Sequence, residues 1–181
     1  TLVVFTSDNG GERFSDSWPL VGGEMDLTEG GIRVPYVVRW PDMIVPDTVS
    51  RQFAMTMDWM PTFLEAAGAP AHPGYPPDGM SLMPLFRDPG LDRGRELFWR
   101  MKHRAQRAMR RDNWKYLAIE GNEYLFDIEK DSRERANLAG RHPGLLAELR
   151  GRYEQWEATM PPIPDDARVT LVYTDKDMPR V

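Results

Sequence analysis

Leu2-Val3-Val4-Phe5-Thr6-Ser7-Asp8-Asn9-Gly10-Gly11 begins as an apolar β run and passes directly onto a carboxylate, a carboxamide and two glycines. Its β-branched and aromatic residues suit a strand, so Asp8 and Asn9 fall at the strand's C-terminal tip. Open α/β sheets bind ligands outside the carboxyl ends of their strands, and hard cations such as Ca²⁺ or Mg²⁺ take oxygen donors from Asp and Asn. Asn-Gly after a β run is also the commonest hairpin turn signal, because both residues tolerate positive φ. Taken alone, these residues leave two readings open, a metal half-site and a plain turn.

Outward from this stretch, residues 12–28 form a polar, glycine-containing loop with an aromatic at Trp18, closed by Glu29-Gly30-Gly31. Residues 32–40 read as a strand built from Val34, Tyr36, Val37, Val38 and Trp40, with Pro35 marking a strand start or edge. Met57, Met60, Phe63, Leu64 and Ala67 recur at helical spacing up to Gly68. This predicts a helix over 58–67 with Pro61 in its first turn and Asp58 as N-cap. Prolines 70, 73, 76 and 77 make residues 69–79 an irregular connection.

The turn-rich segment 87–94 marks a boundary and divides the chain into units 1–88 and 89–181. The second unit reads as hairpins, with strands over 96–101, 105–111, 114–119 and 124–128 and turns at Asp112-Asn113 and Gly121-Asn122. One amphipathic helix follows, carrying Leu145, Leu149, Tyr153 and Trp156 on a single face and Pro143 in its opening turn. Those aromatics read as core against the sheet, and the tail from Pro161 as a surface segment. The fold class is therefore α/β, with a small antiparallel sheet packed on a helix after the first unit.

With 41% hydrophobic and 28% charged residues among 181, the composition is that of an ordinary globular polypeptide. A formal net charge of -5 argues against a nucleic-acid binder, which carries a basic field. No apolar run approaches the roughly 20 residues of a membrane span. The absence of cysteine excludes disulfides, thiolate-held metals and a cysteine nucleophile within this sequence, and does not name a compartment. Thr1 is not an initiator methionine and the strand starts at residue 2, so the chain is expected to begin inside a fold.

Segment order brings a family into view. Thr6-Ser7-Asp8-Asn9-Gly10, then Glu29-Gly30-Gly31-Ile32-Arg33-Val34-Pro35, then Asp58-Trp59-Met60-Pro61-Thr62 resemble, in order, motifs of the sulfatases of the alkaline-phosphatase-like superfamily. Shorter matches continue through Asp78-Gly79-Met80-Ser81-Leu82, Asn113-Trp114-Lys115-Tyr116, Leu125-Phe126-Asp127, Glu134 and Asn137-Leu138. The resemblance implies the C-terminal part of that family's α/β core followed by a small C-terminal subdomain.

It also implies that Asp8 and Asn9 are half of the ligand set of one Ca²⁺ that holds the sulfate oxygens, the other half lying upstream of Thr1. Two donors are far short of the 6 to 8 that Ca²⁺ prefers, so this chain alone is expected to bind calcium weakly or not at all. The implied nucleophile is a formylglycine made from a Cys/Ser-x-Pro-x-Arg motif, also expected upstream. Ser17-Trp18-Pro19 lacks its arginine and reads as loop packing. No catalytic residue is thus assigned within the chain.

One departure concerns substrate binding: where the family has a sulfate-contacting lysine, five residues before the glutamate of Glu-Gly-Gly, this chain has Glu24. A carboxylate about 4 Å from a sulfate oxygen costs on the order of 1 kcal/mol in water and several times that in a dry pocket. Either Arg13 or Lys102 replaces the charge, or Glu24 faces a cationic part of another substrate, or it is simply solvated. His103 is a candidate for the pocket edge, and Glu29 and Arg33 read as braces of the Gly-Gly turn. The implied partners are a small-molecule sulfate ester and either the N-terminal part of the same protein or a second copy pairing at an exposed strand edge. Phosphonate or phosphate ester hydrolysis, and a non-catalytic interaction domain, stay open as alternatives.

Overall fold

The computed structural model describes residues 1–12 and 15–167. Strand β1 (Val3–Thr6) pairs antiparallel with β2 (Tyr36–Arg39), in a register running from Val3↔Arg39 to Thr6↔Tyr36. The strand expected over 32–40 is therefore shorter. Residues Glu29–Ile32 wind into a single helical turn, α1, and pairing begins only after Pro35, which has no N–H to give to a ladder. One face of the pair, with Val4, Tyr36 and Val38, packs on Trp59, Leu82, Met83, Leu85 and Phe86, and Tyr36 stacks on Trp59 at 5.2 Å. The opposite face leaves Val3, Phe5 and Val37 49%, 66% and 58% exposed.

Helix α2 (Trp59–Ala67) ends where Gly68 turns left-handed at φ 64 and its N–H reaches back into the last turn. Asp58 precedes it but does not cap it, which corrects the expectation. Its buried carboxylate instead accepts the N–H groups of Met55 (2.7 Å) and Met80 (3.0 Å) and a two-pronged bond from Arg95 (2.7 and 3.1 Å). A short helix absent from the sequence reading, α3 (Met83–Arg87), buries Met83, Leu85 and Phe86; Pro84 sits in its first turn, where no N–H is needed.

The second part is a four-stranded antiparallel meander of β3 (Glu96–Met101), β4 (Gln106–Arg111), β5 (Trp114–Ile119) and β6 (Asn122–Asp127). These boundaries lie within two residues of those expected, and Glu120-Gly121, both at positive φ, make the last turn. Side-chain alternation splits the sheet into two buried faces. Met109, Tyr116, Ala118 and Leu125 pack on Leu149 and Tyr153 of α4 (Pro143–Glu157), with Phe98 stacked on Trp156 at 5.1 Å. The other face, with Ala108, Leu117, Phe126 and Ile128, closes over Leu27 and Ile32 from the first part. The expected core role of the α4 aromatics holds, and the second covered face is what brings the Glu-Gly-Gly turn against the sheet. Among the described residues no helix is long and apolar enough to cross a membrane.

Candidate functional site

The Asp8–Asn9 tip stands where β1 ends. Asp8 is exposed; its Oδ1 accepts the Asn9 N–H at 3.0 Å, and the Asn9 Nδ2 donates to the Gly10 carbonyl at 3.0 Å. The Ser7 hydroxyl donates to the Asn9 carbonyl at 2.9 Å. Among the described residues Asp8 Oδ2 and Asn9 Oδ1 accept no hydrogen bond, so the tip offers two hard oxygens. No cluster of three or more His, Asp or Glu side chains suited to a metal forms among the described residues.

The next residue explains why the tip is so placed. The buried Gly10 N–H donates to the Gly31 carbonyl at 2.8 Å, and a Cβ at Gly10 would lie inside the Gly30 carbonyl oxygen and 2.7 Å from Gly31 Cα. Gly30 and Gly31 are just as close to the backbone of residues 21–26, with Gly30 N–H bonded to the Val21 carbonyl at 2.7 Å. The two glycine motifs, twenty residues apart in the chain, are therefore one backbone-on-backbone contact that side chains would force open. Glu24 belongs to the same assembly, because its N–H donates to the Gly11 carbonyl at 3.0 Å, and its side chain is half-buried.

Beneath this contact lies a buried ion network. Glu29, 1% exposed, takes the fully buried Lys115 Nζ at 3.0 Å on one oxygen, while Arg33 and Arg110 approach the other at 3.8 Å. Lys115 also meets Glu134 at 2.8 Å, and the second Glu134 oxygen accepts the Glu29 N–H at 2.6 Å. Burial pushes the Glu134 carboxyl above the usual glutamate range, with Lys115 pulling the other way. Burial likewise lowers the Arg110 guanidinium, which stacks over the Phe53 ring at 3.4 Å. Glu29 is anchored at the Gly-Gly turn by Lys115 and Glu134, whereas the Arg33 guanidinium is about half exposed and only approaches Glu29 at 3.8 Å. Lys115 and Glu134 stand in the sequence only within short motif matches with no role attached; the further signal is that Lys115 shares its strand face with Leu117, two residues on.

His103 lies in a tight turn, residues 103–105, where Arg104 and Ala105 both take positive φ. Its carbonyl accepts from the Gln106 amide, which also donates to Met25 O (2.8 Å) and accepts the Leu27 N–H (2.9 Å). Gln106 thereby seats the His103 turn against the loop that carries Glu24. Lys102 is turned to another task, donating to the Pro164 and Asp165 carbonyls at 3.0 and 2.7 Å after α4. Arg13 lies outside the described residues. Trp18 is exposed with the Arg133 guanidinium 4.1 Å over its ring, and Ser17 belongs to its loop.

Residues 1–69, which hold the tip, the Gly-Gly turn and α2, match the sulfatase family model. An uncharacterised sulfatase of Schizosaccharomyces pombe is 38% identical over 143 residues, covering 68% of this chain and 24% of that protein. The chain belongs to the sulfatase family. Human arylsulfatase A is 30% identical, over 82% of this chain and 35% of its own length. Among solved structures, Ps i-CgsB superposes with a TM-score of 0.76 at 30% identity, covering 86% of this chain and 36% of the other; a second crystal structure of it is a complex with k-i-k-neocarrahexaose. The chain thus spans about a quarter to just over a third of the length of these proteins.

Proposed function

We propose that this chain is the C-terminal portion of a sulfuric ester hydrolase, supplying half of a calcium site and one wall of the substrate pocket. The observation that carries the reading is the Asp8–Asn9 tip, held by Gly10 on the Gly30-Gly31 turn with two oxygens that accept no hydrogen bond among the described residues, within the segment that matches the sulfatase model. The donor chemistry fits a hard cation, and two oxygens leave most of a shell of 6 to 8 to be supplied from elsewhere. Asp8 and Asn9 are the residues to hold it. A Ca²⁺ bound there supplies positive charge to the oxygens of a sulfate ester as negative charge spreads in the transition state.

The formylglycine nucleophile and the remaining ligands belong, in this reading, to an upstream part, so the chain by itself is inactive. Its own residues do the orienting: Gly10 and Gly31 fix the tip, Gln106 seats the His103 turn, and Glu24 borders the site. A carboxylate in the position of the family's lysine gives a second reading, phosphonate or phosphate ester hydrolysis, some support. The test uses the longer protein containing this chain, assayed on aryl sulfate and aryl phosphonate esters in parallel. Calcium-dependent sulfate turnover that falls at least a hundredfold in Asp8→Ala supports the proposal. Preferential phosphonate turnover favours the second reading, and no turnover of either points to a non-catalytic domain.

A further inference from the structure

We infer that Lys115 and Glu134 are positioning residues that, through Glu29 and the Gly30-Gly31 turn, set where the Asp8–Asn9 tip stands. The inference rests on the proposed role of that tip. A continuous path of short contacts joins the two ends. Lys115 Nζ holds a Glu29 oxygen at 3.0 Å and a Glu134 oxygen at 2.8 Å, and the other Glu134 oxygen holds the Glu29 N–H at 2.6 Å. Side chain and main chain of Glu29 are thus gripped at once, which fixes the start of α1 in position and rotation. Two residues on, the Gly31 carbonyl receives the Gly10 N–H at 2.8 Å.

This path has little slack. A Cβ on Gly10, Gly30 or Gly31 would in each case collide with backbone, so the three glycines are already at closest approach, and a displaced α1 must carry Gly10 with it. Because Gly31 and Gly30 are equally tight against residues 21–26, the same displacement moves the loop bearing Glu24. The turn therefore sets both sides of the site from one anchor.

Charge burial is the second strand of the reasoning. Lys115 is fully buried and the Glu29 and Glu134 side chains are 1% and 2% exposed, with Arg110 and the half-exposed Arg33 each 3.8 Å from Glu29. An ion cluster this deep gains little net stability over an apolar replacement of the same volume, since desolvation offsets the attraction. What it gives in return is placement: two short charge-assisted hydrogen bonds, Lys115 to Glu29 and the Glu29 N–H to Glu134, reinforced by the 2.8 Å ion contact of Lys115 with Glu134. α1 is only four residues long and has just Ile32 among the apolar side chains packed under the sheet, so hydrophobic contact alone does not fix it.

The test is hydrogen exchange of the 181-residue chain, read in peptides spanning residues 8–11, with α4 peptides as the gauge of global unfolding. In Glu134→Gln, which leaves Lys115 paired with Glu29, exchange at the tip is expected to rise at least tenfold while α4 keeps its native rate. Lys115→Arg, which retains the charge but not the length, is expected to do the same. Tip exchange within twofold of the parent in a variant with native α4 rates overturns the inference. Loss of α4 protection in both variants also overturns it, because the network then stabilises the whole fold and positions nothing in particular. Calcium titration of the longer protein separates this from the functional reading. There, both variants are expected to bind at least fivefold more weakly; a parent that binds no calcium refutes the metal role of the tip, and the exchange result still decides the positioning.

Discussion

Gly10→Ala concentrates the consequences of the tip's geometry in one methyl group. The added carbon would lie 2.7 Å from the Gly30 carbonyl carbon and from Gly31 Cα, and nearer still to the Gly30 oxygen. Ordinary carbon contacts lie at about 3.5–4.0 Å, so the two segments must part by roughly 1 Å. The Gly10 N–H to Gly31 O bond, now 2.8 Å, does not survive that opening. Its loss costs about 0.5–1.5 kcal/mol and the overpacking about 1–3 kcal/mol, together roughly 2–4 kcal/mol. For a chain of this size each kcal/mol moves the melting temperature by about 2–4 °C, which gives an expected drop of roughly 5–15 °C in a calorimetric or circular-dichroism melt. Gly151→Ala is the matched control, since nothing lies within 4 Å of its Cβ position in the middle of α4; there the same methyl is expected to add about 0.5–1 kcal/mol of stability. A Gly10→Ala melt within 1 °C of the parent would refute the closest-approach reasoning.

Arg95→Met leaves the fully buried Asp58 with only the Met55 and Met80 N–H groups, and is expected to cost about 3–5 kcal/mol in urea unfolding. Adding Asp58→Asn should recover part of that loss. Glu134 contributes a pH dependence of definite sign. Its carboxyl is raised in the folded state, so the folded chain holds the proton more tightly than the unfolded one. The associated stability is complete below the ordinary glutamate range and is lost as pH rises through the folded value. Denaturation curves of parent and Glu134→Gln between pH 4 and 7 should show the parent's relative stability falling as pH rises; a flat or rising difference would contradict the burial of this group. Finally, the exposed Val3, Phe5 and Val37 face should drive association of the 181-residue chain, and light scattering at high concentration should detect oligomers that Phe5→Glu disperses. A monodisperse parent would remove that expectation.

The meander and α4 were legible because they rest on local chemistry: alternating strands, turns tolerant of positive φ at Asp112 and Gly121, and an apolar stripe of period 3.6. The tip was legible as chemistry but not as geometry. Nothing local to Asp8 reports that Gly10 is pressed against Gly30, a contact between segments twenty residues apart. α3 was hidden because Pro84 reads as a breaker unless one knows that it occupies a first turn. Asp58 reads as a cap by residue type, yet the nearby guanidinium of Arg95 holds its carboxylate instead. Lys115 was least visible of all, since lysine is almost never fully buried without partners and its partners, Glu29 and Glu134, come from far along the chain.

The junction between the two parts is held by complementary ions as well as by oil. Asp58 and Glu29 stand on one side of the 89–94 segment, and Arg95, Arg110 and Lys115 on the other. A cut in that segment would part Asp58 from Arg95 and Glu29 from Lys115 and Arg110, while Lys115 would keep Glu134 and Glu29 would keep the half-exposed Arg33. A chain nicked at 89–94 would thus still share the buried Asp58–Arg95 and Glu29–Lys115 pairs between its two pieces.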